Sequence, residues 1–101
     1  MANHEISFTA AGAMTKKYRD SVDRDARKAL CFDKDIFATL AHQDGCERIR
    51  FYFGLDSNDE LQLIIVGVDD QGNDQVGTDD QCYDIGDPCP SVCSTNNILN
   101  S

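Results

Sequence analysis

Three thiols stand close enough along the chain to act together: Cys82, Cys89 and Cys93, in a turn-rich stretch. They could hold zinc with His42 or Cys46 as fourth ligand, because Zn2+ takes a tetrahedron of sulfur and nitrogen donors. Structural zinc sites favour cysteines about two to four residues apart. Only Cys89 and Cys93 approximate that spacing. The same two, or one of them with Cys82, could instead form a disulfide. The total of 5 cysteines is odd, and reduced thiols are the default expectation. A redox dithiol would want the C-x-x-C spacing and a nearby cation or helix N-terminus. Here Pro90-Ser91-Val92 separates the pair and the surroundings are acidic, which raises a thiol pKa.

Hard oxygen donors for calcium occur in the acidic loop Asp69 to Asp80, which contains Asp69, Asp70, Asp74, Asp79 and Asp80. The order of an EF-hand loop is missing, since Gly72 stands at the wrong offset and no terminal Glu follows. A turn built on Gly72 and Asn73 accounts for the same residues without an ion, and Asp56 to Glu60 reads as a solvated hairpin turn. Acyl transfer would need a base beside a nucleophile. The candidate histidines are His4, near the start, and His42, placed to act on a helix C-terminus. There is no phosphate-binding Gly-rich loop. No catalytic residues are assigned.

The elements that would position these groups centre on Glu47 to Asp74. Glu47 to Leu55 and Leu61 to Asp70 are β-rich runs joined by the polar turn Asp56 to Glu60, which predicts a hairpin. In the first run Ile49, Phe51 and Phe53 alternate with Arg48, Arg50 and Tyr52, so one face should turn inward. The second run is apolar on both sides: Leu61, Leu63 and Ile65 on one, Ile64, Val66 and Val68 on the other. A strand of that kind must be covered twice. If nothing in the chain covers the second side, Tyr52, Ile64, Val66 and Val68 form an association surface for a homo-oligomer.

Before the hairpin, Thr9 is a candidate N-cap, and Ala11, Met14, Tyr18 and Val22 form an apolar stripe, predicting a helix from about Ala10 to Asp20 or beyond. Asp20 with Arg24 and Asp23 with Arg27 would be i,i+4 ion pairs if the helix continued. Ala29 to Phe32 suits a brief strand. A second helix starts at Asp33, with Phe32 and Phe37 as a hydrophobic staple, and buries Ile36, Phe37, Leu40 and Ala41. Gly45 is its expected C′ residue, with Cys46 making the closing apolar contact. Cys82 to Ile85 could add an edge strand, and Gly86 to Pro90 should break regular structure.

Val66-Gly-Val-Asp-Asp-Gln-Gly-Asn-Asp74, Cys89-Pro-Ser-Val-Cys93, and the regions Met14 to Arg19 and Gly45 to Gly54 together resemble small uncharacterised proteins of Bacteroidota such as flavobacteria. The resemblance implies a free-standing bacterial domain and carries no activity.

A net charge of -9 repels phosphate backbones and anionic lipids, so neither nucleic acid nor a membrane surface is expected as a partner. Met1 to Glu5 has no basic or apolar leader pattern, which predicts a cytoplasmic protein. A leaderless export route, or a signal already removed, would leave the same start. The expectation is one α+β domain over residues 1–101, with its core at about 6–85 and a Pro/Cys-containing segment at 86–101. Two helices would pack on one face of a small, mainly antiparallel sheet centred on the hairpin. The expected function is a non-enzymatic binding or structural module that self-associates; the alternative is a metal-binding or thiol-dependent site at the C-terminal cysteines.

Overall fold

A computed structural model describes residues 4–100. Met1 to Asn3, part of the polar start read above, and Ser101 lie outside them. The elements run α1 (Phe8–Ser21), β1 (Ala29–Cys31), α2 (Lys34–Ala41), β2 (Arg48–Leu55), β3 (Leu61–Val68), β4 (Cys82–Tyr83) and β5 (Asp87–Cys89), a small α+β fold. One sheet has the order β2-β3-β4, and β1 pairs with β5 in a second. The chain divides into two units: the continuous segment Leu30–Asp87, and Met1–Ala29 joined to Pro88–Ser101.

In the Leu30–Asp87 unit the expected hairpin forms in full register, from Leu55 opposite Leu61 to Arg48 opposite Val68. β4 lies against the far side of β3, leaving β2 as an edge strand. Its core is small: Leu40 of α2 and Ile65 are at 0% exposure and Val68 at 1%. The ring of Phe37 on α2 approaches Phe51 on β2 with centroids 6.2 Å apart, so α2 lies on the face that Phe51 shares with Ile65. Asp33 is the N-cap residue as expected, although its side chain makes no capping bond. The helix ends sooner than Gly45 suggests. His42 is the C-cap, and Gly45, at φ 81°, serves the following turn, where the Cys46 N–H donates to the Gln43 carbonyl at 3.0 Å. The Cys46 thiol donates to the Arg48 carbonyl.

Both ends of β3 close with one turn design. At Asp56 to Glu60, Asp56 Oδ1 accepts from the N–H groups of Asn58 (2.8 Å) and Glu60 (3.0 Å), and Asp59 stands at φ 60°. At Asp69 to Asn73, Asp69 Oδ1 accepts from Gln71 and Asn73, each at 2.9 Å, and Gly72 stands at φ 83°. Each turn is closed by a backbone bond, from the Asp59 N–H to the Asp56 carbonyl at 3.0 Å and from the Gly72 N–H to the Asp69 carbonyl at 3.1 Å, and ends on a left-handed residue, which suits the twist of antiparallel strands.

In the other unit α1 is capped by Ser7, whose Oγ accepts from the Ala10 N–H at 3.0 Å, rather than by Thr9. The helix stops at Ser21, so the ion pairs expected with Arg24 and Arg27 cannot be helical ones. Asp20 instead bonds back to Lys16 at 2.7 Å, which holds its carboxyl below the usual 3.8. The stabilisation from this pair is therefore present above that value and fades as pH falls through the lowered one. The predicted stripe is not the buried one: Met14 is 67% and Tyr18 40% exposed. The buried residue of α1 is Gly12, with Ile98 packed so close that a Cβ there would lie 2.7 Å from the Ile98 carbonyl oxygen. Arg19 reinforces this tail contact by donating to the Leu99 carbonyl at 2.7 Å. After the helix, Lys28 Nζ donates to the carbonyls of Asp23, Arg24 and Ala26 and so orders the connecting loop.

Gly86 to Pro90, expected to be irregular, supplies β5. A two-stranded sheet is all edge, so Pro88 removes no donor that a central strand would need. The Lys28 N–H donates to the Cys89 carbonyl at 2.7 Å.

Candidate functional site

Cys89 and Cys93 are joined by a disulfide, with Cα atoms 4.8 Å apart, while Cys31, Cys46 and Cys82 are free. The expectation of reduced thiols is corrected for that pair. In the expected ligand set of Cys82, Cys89 and Cys93, two of the three sulfurs are bonded to each other here. Among the described residues no group of three or more His, Cys, Asp or Glu side chains gathers as metal ligands would. The carboxylates expected to attract calcium serve the loop itself: Asp69 caps its turn, Asp80 Oδ2 accepts from the Gly77 N–H at 2.9 Å, and Asp74 binds side chains of β2. His42 caps α2, with Nδ1 2.7 Å from the Ala38 carbonyl. An open cleft of about 180 Å3 lies between Cys31, Phe32, Ile36 and Tyr83, edged by Asp33, Asp84 and Asp87.

The expected association surface is rearranged. Val66 is 6% and Val68 1% exposed, so both are covered within the chain. Ile64 is half-buried. Tyr52, 46% exposed, donates its hydroxyl to Asp74, which also takes Arg50 Nη1 at 2.6 Å. The Tyr52 hydroxyl and the Asp74 carboxylate hold the Arg50 pKa above its already high ordinary value. The cause is the course of the chain after β3. The turn at Asp69 folds it back so that Asp74 bridges to Val68, and Asp74 then meets Arg50 and Tyr52.

The most exposed apolar residues of β2 are on the opposite face. Phe53 is 80%, Leu55 68% and Phe51 46% exposed. This is the face α2 packs against, but α2 is too short to cover it. Its 8 residues span about 12 Å. The 8 residues of β2 span about 27 Å. Alternation in β2 showed which residues share a face; the missing signal was this mismatch in length.

The backbone of β2 adds a second property. Asp56 donates its N–H to the Glu60 carbonyl at 3.0 Å, marking that pair as hydrogen-bonded. Bonded pairs alternate in an antiparallel ladder. Arg48, Arg50, Tyr52 and Gly54 therefore direct their backbone groups to β3, and Ile49, Phe51, Phe53 and Leu55 direct theirs outward. The far side of β3 agrees, because the Gly67 carbonyl accepts from Gln75 and so points away from β2. No strand among the described residues pairs with the outer side of β2. The strand is also electrically polar, with Arg48 and Arg50 near its start and Asp56, Asp59 and Glu60 just beyond its end.

No family model, no curated protein and no solved structure matches the chain.

Proposed function

We propose that the protein is a non-enzymatic interaction module that associates with a second copy of itself, and that it works in the bacterial cytoplasm. The observation that carries this is the open edge of β2 beside the exposed Phe53 and Leu55. A long, apolar, unprotected edge strand is a template for pairing. A structural rather than chemical role is supported by the way the candidate reactive groups are used: His42 on a carbonyl, Asp69 and Asp80 on backbone N–H groups, Asp74 on Arg50.

Sedimentation velocity over a wide concentration range tests the proposal. The wild-type chain should shift from monomer to dimer as concentration rises, and Phe53→Glu, on an exposed side chain, should stay monomeric with its circular dichroism unchanged. A wild-type chain that stays monomeric at the highest concentration overturns it.

A further inference from the structure

Resting on that reading, we infer that the two copies pair β2 to β2 in antiparallel, about a two-fold axis at Tyr52. The direction follows from charge. On a chain of net charge -9, β2 places Arg48 and Arg50 at one end and leads into Asp56, Asp59 and Glu60 at the other. Arg50 is already held by Asp74, so the direction rests on Arg48, which antiparallel pairing sets beside Asp56 of the next copy. Parallel in-register pairing sets Arg48 beside Arg48 and Arg50 beside Arg50, and like charges directly opposite oppose association.

The register follows from the backbone. The outward residues are Ile49, Phe51, Phe53 and Leu55, so hydrogen-bonded pairs across the new interface must join members of that set. An axis at Tyr52 pairs Ile49 with Leu55 and Phe51 with Phe53, and their reciprocals, leaving none of these outward groups unused. An axis moved by one residue, to Phe51, leaves Leu55 opposite Glu47, beyond the strand. The same register resolves the side chains. Phe53 and Leu55, exposed in the single copy, lie beside Phe51 and Ile49 of the second. On the other face Arg48 falls opposite Asp56. Arg50 falls opposite Gly54, which adds no side chain to crowd its pair with Asp74. A C2 interface of this kind is self-complementary and closes at two copies.

Spin labels provide the test. Cysteine is introduced singly at Tyr52 or at Ser57, both exposed, in a chain whose free thiols are removed by Cys31→Ser, Cys46→Ser and Cys82→Ser. In the dimer the labels at 52 should broaden each other's spectra, because their backbones meet at about 4.5 Å. Those at 57 lie beyond the two Leu55 ends of the paired strands and should be at least about 20 Å apart, six residues of strand. In-register parallel strands would bring both pairs to about 5 Å. As a second measurement, Phe51→Cys and Phe53→Cys chains should cross-link to each other on oxidation and each far less to itself, since bonded pairs lie about 5.5 Å apart, within disulfide reach. Dimers with both labels close, or with preferential cross-links of 51 to 51 or 53 to 53, overturn this inference and leave the interaction module standing. Absence of dimers at any concentration overturns both.

Discussion

Asp56 and Asp69 perform one task at opposite ends of β3: a carboxylate oxygen takes two backbone N–H groups that the turn would otherwise leave to water. Losing such an acceptor costs about 1–2 kcal/mol, by analogy with helix N-caps. Asp56→Ala and Asp69→Ala should each lower the urea midpoint accordingly. The turns differ at the left-handed position, Gly72 in one and Asp59 in the other. A side chain there is strained, so Asp59→Gly should stabilise the protein by up to about 1 kcal/mol and Gly72→Ala should destabilise it by about 1 kcal/mol. Equal melts for Asp59→Gly and the parent would show that Asp59 is unstrained. The spacing from Asp56 to Asp59-Glu60 repeats from Asp69 to Gly72-Asn73, yet the sequence does not advertise it. Glycine marks a left-handed residue, and only one of the two turns has it; the other reads as an ordinary solvated loop, and the Asp69 loop reads equally as a cation site.

Among the elements, the hairpin was legible because β-branched and aromatic alternation with a polar turn has few other solutions. α1 was half legible: its existence followed from period, its buried face did not. Apolar periodicity pointed to Met14 and Tyr18, whereas packing is decided at Gly12, where the absence of a side chain lets the backbone at Ile98 approach. Gly→Ala inside a helix ordinarily stabilises by about 1 kcal/mol. At Gly12 the sign should reverse, since the new methyl would meet a carbonyl rather than a yielding side chain. Thermal melts of Gly12→Ala, with limited proteolysis to report release of the segment around Ile98, check this; a raised melting temperature with the segment still protected would refute it. The position of the apolar patch was illegible for a related reason. Which part of β2 stays bare depends on where a short helix lands, and that is a tertiary fact.

At the scale of the whole molecule, the two units are held by different means. The Leu30–Asp87 unit has the buried strand β3. The other has one buried residue in its helix, side-chain bonds to carbonyls, and a disulfide with a sequence separation of 4. Closing so short a loop stabilises by about 2 kcal/mol on chain-entropy grounds. Hydrogen exchange should therefore show the amides of Ile65, Val66 and Val68 as the slowest. Cys89→Ser should speed exchange at Val92, whose N–H bonds the Pro88 carbonyl, and leave β3 unchanged. Uniform acceleration everywhere would mean that the units unfold as one. The pairing of Cys89 with Cys93 was among the possibilities their spacing raised, but composition pointed to free thiols, because an odd cysteine count says nothing about any one pair.

The division of the chain also sets an order of events during synthesis. The Leu30–Asp87 unit is one uninterrupted segment, so its strands can find each other as soon as Asp87 has left the ribosome. α1 is made before that segment and finished after it. Its Arg19 waits for the carbonyl of Leu99, 80 residues later. Until then the helix, too weakly apolar to hold a fixed place by itself, is a nascent segment that a chaperone can reach, and an element made before the Leu30–Asp87 unit becomes native after it.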